Sequence, residues 1–150
     1  MGMKTGSDPK ALPELCELLN DPQVKRMKGF CQHGRVNTYD HCLAVANLSA
    51  AIDRKLGLNS RRRTLLRGAM LHDYYLYDWH NWGGHGHGFS HPHRAAENAR
   101  RDFRITEEEA EIIESHMWPL TLTHVPHSRE AWIVCIADKI CSLKETLTER

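Results

Sequence analysis

At 150 residues the chain is long enough to bury the core of one domain. Charged residues make up 26% and hydrophobic ones 41%, a globular rather than disordered balance; a formal net charge of +1, with both signs mixed along the chain, gives no support for nucleic-acid or membrane-surface binding. Five cysteines (Cys16, Cys31, Cys42, Cys135, Cys141) with no Cys-x-x-Cys pair argue against a disulfide scaffold or zinc knuckle. Nothing at the N-terminus resembles a signal peptide and no apolar run approaches the ~20 residues of a membrane span, so a reducing cytoplasm is the compartment expected.

The pattern is helical nearly throughout, with little strand-like alternation. Asp21-Pro22 marks a helix start, a capping carboxylate followed by proline in the first turn. Thr38 opens a long helix through roughly Leu56, stopped by Gly57. Ser60 is placed to cap the next, which carries Leu65, Leu66, Ala69 and Met70 toward His72-Asp73. Thr106-Glu107-Glu108-Glu109 has the form of a capping box and starts a helix through about Met117. Ser128 or the residues just after it begin a final helix containing Trp132 to Ala137. Two irregular stretches, 78–90 and 118–127, carry Trp, Gly, Pro and His together and read as loops at a site. The clusters Arg61-Arg62-Arg63 and Arg100-Arg101 adjoin helical patterns and read as solvated faces.

Four of these helices direct an ionisable residue inward. His41 shares a stripe with Val45, Leu48 and Ile52; His72 continues Leu65 and Ala69; His116 follows Ile112 by four; Asp138 interrupts the apolar run from Ile133 to Ile140. One such histidine is usually a satisfied core residue. Four buried polar positions without nearby partners are costly unless they share one, and a divalent cation held by imidazoles and carboxylates is the economical partner.

The order His41, His72-Asp73, Asp138 resembles the HD-domain superfamily of metal-dependent phosphohydrolases. The resemblance extends to Gln32-His33-Gly34, Tyr39-Asp40-His41, Leu71-His72-Asp73, His87-Gly88-Phe89 through Pro92, His116 through Leu120 and Ala137-Asp138-Lys139. These stretches run from about residue 30 to 145 and are similar to small stand-alone bacterial HD proteins. The resemblance implies an all-α, single-domain helical bundle with a metal centre between helices. Residues 1–29 are expected as an N-terminal helical extension and 30–150 as the metal-binding domain, one compact domain overall. It further implies one metal on His41, His72, Asp73 and Asp138, and a second on His91 and His116 with Asp73 bridging. His93 competes with His91; the proline after His91 favours the latter. Mixed His/carboxylate ligation suits Fe, Mn, Co, Ni or Zn better than Mg or Ca.

The activity implied is hydrolysis of a small-molecule phosphate ester or anhydride, nucleotide-like, by a hydroxide shared between two metals, with Asp73 as the catalytic carboxylate. His33, Arg94, Lys139 and Trp118 are the candidate substrate contacts, against surface or packing roles for each. His80, His85, His87, His124 and His127 are expected in loops away from the metals, and Trp79 and Trp82 as packing residues. Where many relatives continue His-Asp-x-Gly-Lys, this chain has Tyr74-Tyr75-Leu76, which removes a usual phosphate contact. The Gly-Tyr-Pro of the cyclic-dinucleotide phosphodiesterases is absent too. Two other readings compete: a di-iron oxygenase of the same fold cleaving a C–C or C–P bond, and a non-catalytic metal-binding regulatory domain. The substrate would be a small phosphorylated molecule, with a homo-oligomer left open.

Overall fold

A computed structural model describes residues 12–33, 35–75 and 87–148, with the backbone alone at 33 and 87–89. Its helices are α1 (Cys16–Asn20), α2 (Pro22–Lys25), α3 (Thr38–Leu56), α4 (Arg62–Leu71), α5 (His87–Phe103), α6 (Glu107–Ser115) and α7 (Arg129–Leu147), with 3₁₀ turns at Pro13–Leu15 and Arg26–Gly29. The strands β1 (Cys31–His33) and β2 (Val36–Asn37) pair antiparallel, Cys31 opposite Asn37. They form a two-stranded sliver on an all-α fold.

Local chemistry explains most boundaries. The side chains of Asp21, Asn37, Thr106 and Ser128 each accept from a backbone N–H in the first turn of the helix that follows. Gly57 ends α3 at φ 59, a left-handed turn that a residue with a Cβ adopts at a cost. Ser60 does not cap α4: Arg61 holds that position without a side-chain bond, and the backbone N–H of Ser60 instead donates to Asp53. Helix α6 ends at Ser115, two residues before the point expected, so His116 sits at its C-cap. Helix α5 opens at His87 rather than after the glycine-rich stretch, and takes Pro92 within it. In the capping sequence at Thr106 only half the box forms, because the Glu109 carboxylate is engaged by Arg67 Nε at 3.1 and 3.2 Å.

Helix α4 is the centre of the bundle. Every residue from Leu65 to Leu71 is buried, with α3 packed along it on one side and α6 on another; α7 closes against α3, α4 and α6, and α5 against α6. Buried Leu, Ile, Val and Met side chains there contribute roughly 1.5–3 kcal/mol each. Leu12, Leu15, Leu18, Leu19, Val24 and Met27, from the segment ahead of β1, join the same core. The approach of α4 to α6 depends on Gly68: a Cβ there would lie 2.7 Å from Ile112 Cδ1. The Arg67–Glu109 pair, both buried, ties the same two helices beside it. Arg61, Arg62, Arg63, Arg100 and Arg101 are exposed, as a solvated helix face requires.

Candidate metal centre

The helix ends converge on one buried point. His41 comes from the first turn of α3, His72 and Asp73 from the end of α4, His91 from α5, His116 from the end of α6 and Asp138 from the middle of α7. His41, His72 and His116 are 0% exposed, Asp73 2%, His91 5% and Asp138 7%. His72 and His116 occupy equivalent places, each the C-cap of a helix that stops where its imidazole turns inward.

Asp73 organises the geometry. Its Oδ2 lies 3.5 Å from His41 Nε2 and 3.2 Å from His72 Nε2; its Oδ1 lies 3.2 Å from His91 Nε2 and 3.3 Å from His116 Nε2. Asp138 Oδ1 completes the first group at 2.9 Å from His41 Nε2 and 3.4 Å from His72 Nε2. The result is two groups, His41/His72/Asp73/Asp138 and Asp73/His91/His116, each offering one atom per residue within 4.8 Å of one another and each able to hold a metal ion.

The protonation pattern tests that fit. His72 Nδ1 is 2.6 Å from the carbonyl of Ala69, and His116 Nδ1 is 2.6 Å from that of Ile113. A carbonyl only accepts, so each Nδ1 carries the proton, and in the neutral imidazole each Nε2 is a lone pair turned toward the centre. His116 Nε2 then faces His91 Nε2 at 3.0 Å. His72 Nε2 and Asp73 Oδ1 are fully buried and make no hydrogen bond. A lone pair and a carboxylate oxygen left buried without a donor are costly in an apolar interior and suited to a cation.

Without a cation the site has to keep protons. Burial pushes the His41 imidazole down, but the hydrogen bonds it donates to Asp138 and Glu145 raise it to about 10. Burial opposes the charged form of His72 as well, and Asp73, with Asp138, carries it well above the ordinary value. His116 is lowered, burial outweighing Asp73. Burial would raise both carboxyls, yet the facing imidazoles hold Asp73 and Asp138 well below the usual carboxylate range.

The structure separates His91 from His93. His91 is buried against Asp73, whereas His93 is 68% exposed and pairs with Glu97 one turn along α5. Among the candidate substrate contacts, the Lys139 ammonium lies within bonding distance of His116 O, Cys135 O and Cys135 Sγ, which occupies its three donors. Trp118 packs its ring edge-on against Trp132 at 5.1 Å, between the loop and α7. Arg94 is exposed on α5. The side chain of His33 lies outside the described residues, as do Trp79, His80, Trp82, His85 and the side chain of His87; His124 and His127 are exposed.

Three residues around the ligands were not singled out from sequence. Glu145 places both carboxylate oxygens at 2.9 and 2.8 Å from His41 Nδ1, fixing that ring so that Nε2 faces the centre. It lies seven residues after Asp138, two turns along the same face, so extending that face would have found it. Gln32 donates from Nε2 to Asp73 Oδ2 at 2.8 Å, and its own Oε1 accepts from Tyr75 Oη at 2.7 Å and Thr38 Oγ1 at 3.3 Å. Two hydroxyls at one end and a carboxylate at the other leave Gln32 a single amide orientation. Only the neighbourhood of His33 pointed toward it; no periodicity does. Asn98 then pins the chain leaving the site, donating to the carbonyls of Tyr74 and Tyr75.

A family model described as HD domain matches residues 38–143. No curated protein and no solved structure matches the chain.

Proposed function

The chain belongs to the HD-domain family, and from that membership we propose that it is a metal-dependent phosphohydrolase acting on a small-molecule phosphate ester or anhydride. One observation carries the reading: the two oxygens of Asp73 face two separate sets of imidazoles. A lone structural metal has no use for the second set. One ion would sit on His41, His72, Asp73 and Asp138, the other on Asp73, His91 and His116. When bound, such a pair supplies Lewis-acid charge to both sides of an in-line displacement at phosphorus and lowers the pKa of a coordinated water.

The residues of the chain do the rest. Asp73 holds the two positions at a fixed separation, and Gln32 keeps its carboxylate from rotating. Glu145 and the carbonyls of Ala69 and Ile113 fix three imidazoles in the Nδ1-protonated form, so that no ring has to turn or lose a proton from Nε2 when neutral. The mixed nitrogen and oxygen donors favour Mn, Fe, Co, Ni or Zn.

Metal analysis joined to a substrate screen tests this. Protein reconstituted with each of those ions should carry two per chain and release phosphate, in a metal-dependent way, from some phosphomonoester, phosphodiester or nucleotide. Oxygen consumption on a phosphonate or polyol by a di-iron form, without hydrolysis of any phosphate ester or anhydride, would overturn it.

A further inference from the structure

Helix α7 is apolar on both faces. Its inner face buries Ala131, Ile133, Val134, Cys135, Ala137 and Cys141 beside Asp138. Its outer face carries Trp132, Ile136, Ile140, Leu143 and Leu147, between 38% and 61% exposed. Their spacing of four, four, three and four is that of a helix stripe made to pack. The loop ahead of α7 adds Leu120, Leu122 and Val125, also exposed, and the Trp118–Trp132 contact joins loop and helix. A soluble surface rarely leaves so large a contiguous apolar patch open without a use for it.

We propose that this face is a homodimer interface in which α7 packs antiparallel against α7 of a second copy, with the two-fold axis near Ile140. Three features select a second copy as the occupant. The stripe reads nearly the same from either end, so Trp132 meets Leu147 and Ile136 meets Leu143 of the other chain, the self-complementarity an isologous contact requires. Eight side chains, each about half exposed, offer several hundred Å² per partner, approaching the roughly 800 Å² of a standard stable interface.

The charges also allow it. The acidic residues of α7 are turned inward: Glu130 and Asp138 are buried and the Glu145 side chain is 10% exposed. Of its basic residues, Lys139 is tied back to the His116 carbonyl and Arg129 to the Leu58 carbonyl. Lys144 and its symmetry mate would stand roughly 13–14 Å apart along the helix axis, beyond the ~8 Å screening length at physiological salt. Because Asp138 and Glu145 project from the opposite face of the same helix, pairing would brace the element that carries them.

Sedimentation equilibrium on the intact chain at about 50 µM tests the proposal, a concentration high enough for mass action to populate a dimer of this area. The mass should be that of two chains; a single-chain mass overturns the proposal, whichever other molecule binds the face. Ile140→Glu places two carboxylates at the axis and should halve the mass while leaving the helical circular dichroism unchanged. Leu56→Glu, at the exposed end of α3, should leave it dimeric. Should Ile140→Glu disturb folding, Ile140→Cys in a Cys16→Ser, Cys31→Ser background decides instead. Mild oxidation should give a covalent dimer from that chain and none from the same placement at Leu56; equal cross-linking at both positions, or none at Ile140→Cys, counts against the interface.

Discussion

Replacing Asp73 with Asn should remove one metal and keep the other. The substitution preserves shape while converting one oxygen to an NH₂, so the outcome depends on which way the amide turns. Gln32 decides this, because its Nε2 donates to the position of Oδ2 and its Oε1 is held by Tyr75 and Thr38. With the Asn oxygen at Oδ2 that hydrogen bond survives. The NH₂ then stands at Oδ1, 3.2 and 3.3 Å from the His91 and His116 nitrogens, to which it can donate. The reverse orientation sets two amide donors against each other in a buried site, at roughly 1–3 kcal/mol for each donor left unsatisfied. A preference of at least about 2 kcal/mol is close to 30-fold.

The Asp73→Asn chain should therefore fold, lose the ion on His91 and His116, and retain an oxygen ligand toward His41, His72 and Asp138. Elemental analysis after reconstitution with Mn should fall from two ions per chain to one, and any exchange coupling in the Mn spectrum should vanish. Gln32→Glu combined with Asp73→Asn should turn the amide around and shift the loss to the other group. Two ions retained in Asp73→Asn, or both lost, would refute the reasoning.

Glu145→Ala frees the His41 ring and should lower affinity for the ion on that side by about 10–100-fold, with the ion on His91 and His116 little changed, as read by chelator competition. Protons should leave when metal enters: His41 holds one up to about pH 10 in the metal-free chain, against 6.5 for the free side chain, so calorimetry in buffers of different ionisation enthalpy near neutral pH should register release, and none would contradict the assignment. The same raised pKa means that the stability His41 contributes is full below pH 6.5 and drains away as pH climbs through about 10; melting temperatures of metal-free protein should fall across that window and those of loaded protein should fall less. Gly68→Ala drives a methyl onto the buried Ile112 and should cost about 1–3 kcal/mol in denaturant unfolding; paired with Ile112→Ala, the loss should be smaller than the sum of the two single changes.

The six ligand candidates were legible in sequence because burial of polar residues is expensive wherever it occurs, and helical spacing says which residues are buried. His41, His72, His116 and Asp138 each sat on an apolar stripe, Asp73 adjoined His72 closely enough to share a cation with it, and the resemblance supplied His91 and the bridging role of Asp73. Boundaries set by local chemistry were legible for the same kind of reason: Thr38, Thr106, Ser128 and Gly57 act within one turn of themselves. Ser60 failed because a cap is only an opportunity, and Asp53 and Arg61 from elsewhere settled how that turn closes. Glu145 was not foreseen, and Gln32, though part of a matching stretch, was given no role, because their partners are 104 and 41 residues away along the chain. No local pattern encodes a contact of that range; only the packing of α7 on α3, and of the hairpin over the end of α4, creates it. The sequence by itself thus determined a helical fold and a buried set of nitrogen and oxygen donors. Tertiary structure alone fixed which atoms meet, Oδ2 of Asp73 toward His41 and His72 and Oδ1 toward His91 and His116, because that geometry depends on how five helices come together.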